Sequence, residues 1–217
     1  MAAYSLILFD LDGTLTDPKD GITKSVQYAL YKLGIEETNL DSLTPFIGPP
    51  LHDSFQQNYR LSPLETQRAV ESYREYFTQR GMCENLMYEG IPWLLQSLKN
   101  QSRKLVVATS KPTVFAEAII KYFRIEQFFE HVIGSNLDGT RSNKGEIIQH
   151  AMGYYSDRSK TDFVMVGDRE QDIIGANANG IDSIGVLYRY GLREELTKAR
   201  ATYVANAVQE VFDILTN

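Results

Sequence analysis

Three carboxylates and a glycine stand within eight residues, DLDGTLTD (Asp10 to Asp17), directly behind a short apolar run. Asp10 and Asp12 are one residue apart, and a chain that turns at Gly13 can aim both acids into one small volume. A second acidic stretch, GDREQD, follows the apolar run DFVMV. It places Asp168 at a strand end and Asp172 at the start of the next helix. Acids converging from two strand ends make a hard oxygen site suited to Mg²⁺. Thr109 and Ser110 follow the run KLVVA, where hydroxyls and backbone N–H groups at a helix start can cradle an anion. Lys144 opens a helical pattern after the loop SNLDGTRSN. A carboxylate nucleophile, a second carboxylate, a magnesium site, hydroxyl donors and a lysine are the equipment of phosphoryl transfer, which needs positioning and neutralisation of charged oxygens.

Plainer readings stand beside these. Asp172 at a helix start can serve the helix dipole alone, and Thr109 can be an ordinary helix cap. Lys111 and Arg169 adjoin motif residues and are expected to point away. Asp17 is expected to shape a hinge, and Cys83 to be incidental.

The elements that must hold these residues are legible as apolar runs. SLILF (5–9), KLVVA (104–108), HVIG (131–134), DFVMV (162–166) and SIGVL (183–187) are short and lack polar alternation. Such runs suit strands buried on both faces of a parallel sheet. Helical spacing predicts helices over 112–122 (Val114, Ala118, Ile119), 144–154 (Ile147, Ile148, Ala151) and 172–179 (Ile173, Ile174, Ala176), the last stopped by Gly180. Alternating strands and helices predict an α/β fold, a doubly wound parallel sheet with a Rossmann-like core.

From about Pro18 to Leu86 no strand is convincing. Ile22, Val26, Ala29, Leu30 and Leu33 fall at helical spacing, as do Ala69, Val70, Tyr73, Tyr76 and Phe77. Gly34, Pro45, Gly48-Pro49-Pro50, Pro63 and Gly81 are read as breakers between helices. A crossover needs only one helix, so this stretch is read as an inserted helical cap, 18–86. The core then comprises 1–17 and 87–217. A cap there is expected to overhang the carboxyl ends of the strands, where open α/β sheets bind ligands. Its Phe46–Pro50 loop is expected to help choose the ligand.

With 22 basic and 28 acidic residues among 217, the net charge is −6. That sign disfavours indiscriminate binding to nucleic-acid polymers or membrane surfaces. One cysteine allows no internal disulfide and no multi-cysteine zinc site. The apolar runs fall far short of the roughly 20 residues of a spanning helix, and the first residues do not read as a signal peptide. A soluble, cytoplasmic protein is expected, monomeric or weakly dimeric.

The order DxD, Thr/Ser, Lys, GDxxxD resembles the haloacid dehalogenase superfamily of aspartate-nucleophile phosphatases, and within it the phosphoglycolate-phosphatase-like branch with a helical cap. The likeness includes DPKDGITKSVQYAL, FIGPPLHDSF, VGDREQDIIGA and IGVLYRYG. One departure is Arg189, where members often carry glycine. The resemblance implies that Asp10 attacks phosphorus. It makes Asp12 the proton donor and then the base, with its backbone carbonyl on the metal. Asp10 and Asp168 would hold Mg²⁺ directly, with Asp172 a ligand or a partner through water, and Thr109, Ser110 and Lys144 would hold the phosphoryl oxygens. The expected substrate is a small soluble phosphate ester, with phosphoglycolate or a nucleoside 5′-monophosphate leading. Alternatives are a phosphomutase on the same fold and a non-enzymatic phospho-acceptor or regulatory module.

Overall fold

The structure, a computed structural model, describes residues 4–216. By its own contacts the chain divides into two compact units. One runs to Asp17 and resumes at Met87; the other is Pro18–Leu86.

The first unit is built on strands β1 (Leu6–Phe9), β4 (Lys104–Pro112), β5 (Phe129–Ser135), β6 (Phe163–Gly167), β7 (Asp182–Val186) and β8 (Tyr203–Ala205). Two-residue strands, β2 (Thr16–Asp17) and β3 (Leu86–Met87), lie where the chain leaves and re-enters this unit. The six-stranded order is β5-β4-β1-β6-β7-β8, with every neighbouring pair parallel. The predicted doubly wound parallel sheet is therefore present. β1 is central and fully buried along its LILF run, as an uninterrupted apolar run requires. Its register pairs Phe9 with Val107 of β4 on one side and with Val166 of β6 on the other. The acids that follow β1 and β6, and the hydroxyls near the end of β4, thus lie toward one edge of the sheet.

Helices α4 (Ile91–Asn100), α5 (Thr113–Tyr122), α6 (Lys144–Gly153), α7 (Glu170–Asn179), α8 (Arg193–Lys198) and α9 (Val208–Thr216) complete the unit. Ile147, Ile148, Ala151 and Ala176 pack with Leu6, Leu8, Val106 and Met165 in one buried cluster. At 25–30 cal/mol per Å² removed from water, such burial supplies the main driving force of the core. Gly180 ends α7 in the left-handed conformation, φ +69°, as expected of a terminal glycine. Two predicted core positions differ. Val114 and Ile174 are exposed, because the buried stripes of α5 and α7 run through Ala116, Ile119, Ile120 and through Ile173, Ala176 instead.

The second unit is helical, as its spacing predicts: α1 (Lys19–Lys32), α2 (Leu51–Tyr59) and α3 (Pro63–Tyr76), with a 3₁₀ segment at Leu40–Phe46 and a π turn at Phe77–Gly81. Ile22, Val26, Ala29, Leu30, Ala69, Tyr73 and Phe77 are buried. Two predicted breakers do other work. Pro63 is the first residue of α3, behind a Ser62–Glu65 capping box, where a missing N–H costs nothing. Gly81 lets the π turn press on α1: a Cβ on Gly81 would lie 2.8 Å from the Gly21 carbonyl oxygen.

The Phe46–Pro50 loop also departs from expectation at one residue. Phe46 is buried, edge-on to Phe55 at 4.9 Å between ring centres. It is a core residue of this unit, without a free face for a ligand.

Candidate active site

Asp10 ends β1 with its backbone N–H donating to Val166 O of β6 at 2.9 Å, so the nucleophile candidate is tied to the neighbouring strand. The chain then turns at Gly13, φ +85°. A Cβ on Gly13 would lie 2.3 Å from Asp168 Oδ2, so the turn can pass this close only because no side chain is there. Asp12 and Asp10 are both buried. Thr14 Oγ1 donates to Asp168 Oδ1 at 3.3 Å, and Tyr188 Oη donates to Thr14 O at 2.6 Å.

Asp168 leaves β6, and Asp172 sits in the first turn of α7, its Oδ2 accepting the Arg169 N–H at 3.1 Å. Asp172 therefore does cap its helix, as the plainer reading had it. It also faces the site, packed so closely against Gly167 that a Cβ there would lie 2.2 Å from its Cγ. Asp10, Asp168 and Asp172 each offer a carboxylate oxygen within 4.8 Å of the others, all buried. Asp12 is outside this cluster, and its Oδ2 meets Lys111.

Lys144 begins α6 behind Asn143, whose side chain accepts the Gly145 N–H at 2.8 Å. Gly145 and Gly175 allow α6 and α7 to cross closely: a Cβ on Gly175 would meet Gly145 N at 3.0 Å. This crossing carries Lys144 Nζ to 3.0 Å from Asp10 Oδ1 and 2.7 Å from Asp172 Oδ1. It also donates to Ala108 O at 3.1 Å. Thr109 is buried at the end of β4, its Oγ1 accepting the Lys111 N–H at 3.3 Å. Ser110 follows it, half-buried.

The expectation that Lys111 points away is wrong. Its Nζ lies 2.8 Å from Asp12 Oδ2, with side chains only 7% and 9% exposed. Spacing carried no reliable signal for this, because the register of β4 against β5 shifts between Ala108 and Pro112 and regular alternation does not hold there. Arg189, the departure from the family pattern, pairs with Asp17 Oδ2 at 2.9 Å, and Tyr190 Oη donates to Asp17 Oδ1. Asp17 is thus clasped at the last residue before the helical unit.

The electrostatics follow from burial and sign. Burial pushes Asp12 above the usual carboxylate range, Lys111 opposes this, and Asp10 adds to it. Burial raises Asp168 well above that range, and the charges of Asp172 and Asp10 raise it further. Asp172 is pushed up to about 6 by burial, against the pull of Lys144. Burial alone would lower the Lys144 amine, yet Asp10 and Asp172 more than offset it and hold the lysine charged. Asp10, Asp12, Asp168 and Asp172 face two ammonium groups, Lys111 and Lys144, so two negative charges remain uncompensated when all are ionised. Asp168 Oδ2 is buried without a hydrogen-bond partner. Hard oxygen donors, an orphaned carboxylate oxygen and a deficit of two positive charges fit a divalent cation of the Mg²⁺ type.

The residues 7–186 match the haloacid dehalogenase-like hydrolase family. The chain belongs to that family. A 5′-nucleotidase of Pseudomonas aeruginosa is 46% identical over 200 residues, covering 92% of this chain and 90% of that protein. A tyrosine-protein kinase, PtkA, of Mycobacterium tuberculosis is 37% identical, covering 93% of this chain and 68% of that one. A crystal structure named a predicted phosphatase from Clostridium acetobutylicum superposes with a TM-score of 0.94 at 47% identity, covering 98% of each chain. The expectation of a family hydrolase with phosphatases among its relatives is borne out. Among the described residues no helix is long and apolar enough to cross a membrane.

Proposed function

We propose that this hydrolase is a Mg²⁺-dependent phosphomonoesterase acting on nucleoside 5′-monophosphates. The observation that carries the reading is the pairing of two buried acids, one residue apart, with two different lysines: Asp10 with Lys144, Asp12 with Lys111. The pairing gives the two acids different partners, and burial favours keeping a proton on Asp12. That division of labour is what acid-assisted transfer to a carboxylate nucleophile needs.

Asp10 attacks phosphorus and forms an aspartyl-phosphate, while Asp12 gives its proton to the departing ester oxygen. Asp12, now a carboxylate, takes a proton from water. That water attacks phosphorus, and Asp10 leaves with its carboxylate restored and inorganic phosphate released. Thr109, Ser110 and Lys144 hold the phosphoryl oxygens. Asp10, Asp168 and Asp172, with the Asp12 carbonyl, would hold Mg²⁺, which would supply the positive charge that lets a phosphate dianion approach these acids. The helical unit 18–86 acts as a cap that selects the leaving group and excludes water. The enzyme works in the cytoplasm on a small soluble ester.

The 5′-nucleotidase relative favours a nucleotide over phosphoglycolate. A phosphate-release screen across nucleoside 5′-monophosphates, phosphoglycolate and an aryl phosphate tests this, with Mg²⁺ and again after chelation. Higher kcat/KM for nucleotides, lost on chelation and restored by Mg²⁺, is expected. Preference for phosphoglycolate would reject the substrate, and full activity in demonstrably metal-free protein would reject the metal.

A further inference from the structure

The reaction described above assigns no task to Lys111, although it is one of two buried lysines at the site. Its Nζ contacts one oxygen of Asp12, Oδ2, at 2.8 Å. The other oxygen, Oδ1, is buried and has no hydrogen-bond partner. The two oxygens of one carboxylate are therefore not equivalent.

The backbone that carries Lys111 is fixed on three sides. Its N–H donates to Thr109 Oγ1 at 3.3 Å. Its carbonyl presses on β5 so closely that a Cβ on Gly134 would lie 2.2 Å from that oxygen. Just beyond, Thr113 Oγ1 accepts the Gly134 N–H at 3.0 Å. The register of β4 against β5 shifts between Ala108 and Pro112, and such irregularities re-aim side chains at strand ends. Lys111 is thus a long side chain rooted in a rigid segment, with little of its length exposed.

We infer that Lys111 is a positioning residue for Asp12: by holding Oδ2 it leaves Oδ1 as the oxygen that exchanges a proton with the leaving group. The inference rests on the proposed role of Asp12. A carboxylate without this tether turns about its Cβ–Cγ bond and presents either oxygen at varied angles. Proton transfer requires a donor within hydrogen-bond reach of the acceptor in the reacting geometry. Fixing one oxygen fixes the other. A lysine serves here because its ammonium is a compact charge that can grip one oxygen, whereas the forked guanidinium of arginine tends to engage both.

The dependence on leaving group separates this role from others. A poor leaving group, such as the alkoxide of a nucleoside, needs the proton; an activated aryl oxide does not. The experiment measures single-turnover phosphorylation of Asp10 with an alkyl and an aryl phosphate in wild type, Lys111→Met and Lys111→Arg. Expected for Lys111→Met is a loss of about 10–100-fold with the alkyl ester, within the range of acid–base effects. With the aryl ester the loss should be severalfold smaller. KM and the rise in melting temperature given by Mg²⁺ should be kept. Lys111→Arg should recover only part of the alkyl rate. Equal losses for both esters would overturn the inference in favour of general charge balance. A raised KM with unchanged kcat would overturn it in favour of a phosphate ligand. If Lys111→Met does not fold, Lys111→Gln, with a shorter donor, gives the same comparison. A wild type that cleaves the aryl phosphate and simple alkyl phosphates but no nucleotide rejects the substrate proposed above, and the comparison at Lys111 proceeds with those esters.

Discussion

Asp10 and Asp12 differ in company rather than in chemistry. Asp10 Oδ1 lies 3.0 Å from Lys144, in a cluster with Asp168 and Asp172, whereas Asp12 is turned toward Lys111. In the proposed reaction Asp10 is the nucleophile, and burial favours a proton on Asp12, its near neighbour. Asp12→Asn retains the shape and the backbone carbonyl but cannot exchange the proton. With an alkyl phosphate the phosphorylation of Asp10 should slow by about 10²–10⁴-fold. With an aryl phosphate that step should be affected much less, and hydrolysis of the aspartyl-phosphate should become limiting. A burst of aryl alcohol, slow turnover and acid-stable label on Asp10 are the expected observations. Equal slowing of the first step for both esters in single turnovers would remove Asp12 from the acid role, and label on another residue would reassign the nucleophile.

Elements bring these residues together by close backbone approach. Gly13 passes against Asp168, Gly167 against Asp172, and Gly175 against Gly145. The same logic orders the helical unit, where Phe46 and Phe55 form an edge-to-face pair in the interior. Phe46→Ala should therefore cost about 3–5 kcal/mol of stability, the usual range for emptying a buried aromatic site. The ratio of kcat/KM between nucleotides and phosphoglycolate should stay unchanged. Thermal melts with parallel kinetics check this, and an altered ratio at unaltered stability would return Phe46 to a selecting role. What the sequence made legible at this scale was whatever periodicity records. β1, β4, β6 and β7 stand out because burial on both faces demands unbroken apolar runs. β8 was missed because a three-residue edge strand, Tyr203–Ala205, carries too little pattern to register. The acids of the two motifs were legible because they follow strand ends directly. Lys111 was not, since its task depends on the irregular end of β4, and a side chain's aim there is a tertiary property. Phe46 misled because a turn rich in glycine and proline is legible as a loop, while the burial of one residue beside it is set by α2.

On the scale of the whole molecule, the buried acids of the site are a stability deficit that the proposed cation would remove. Asp12, Asp168 and Asp172 are all raised above ordinary carboxylate values, chiefly by burial. A carboxyl raised on folding binds its proton more tightly in the native state, so its contribution is most favourable at low pH and is lost as pH rises toward and through the folded value. For Asp172 that window runs from its ordinary value of 3.8 to about 6. The acids lowered on folding, Glu37, Asp41, Glu65, Asp138 and Glu210, act with opposite sign, but below about their ordinary values of 3.8 and 4.5. Lys144 stays charged throughout the acidic and neutral range. Between pH 5.5 and 7.5 the site acids therefore dominate these opposing contributions, and metal-free protein should melt at a lower temperature at pH 7.5. On the proposed reading, Mg²⁺ would compete with protons for the same oxygens and, binding the native state alone, would stabilise it by RT ln(1 + [Mg²⁺]/Kd). The rise in melting temperature on adding Mg²⁺ should accordingly be larger at pH 7.5 than at pH 5.5. Asp168→Asn removes one uncompensated charge, so this variant should melt above metal-free wild type at pH 7.5 and respond little to Mg²⁺. Equal Mg²⁺ shifts at both pH values would sever the link between the site's protons and its metal, and a full shift in Asp168→Asn would remove that residue from the ligand set.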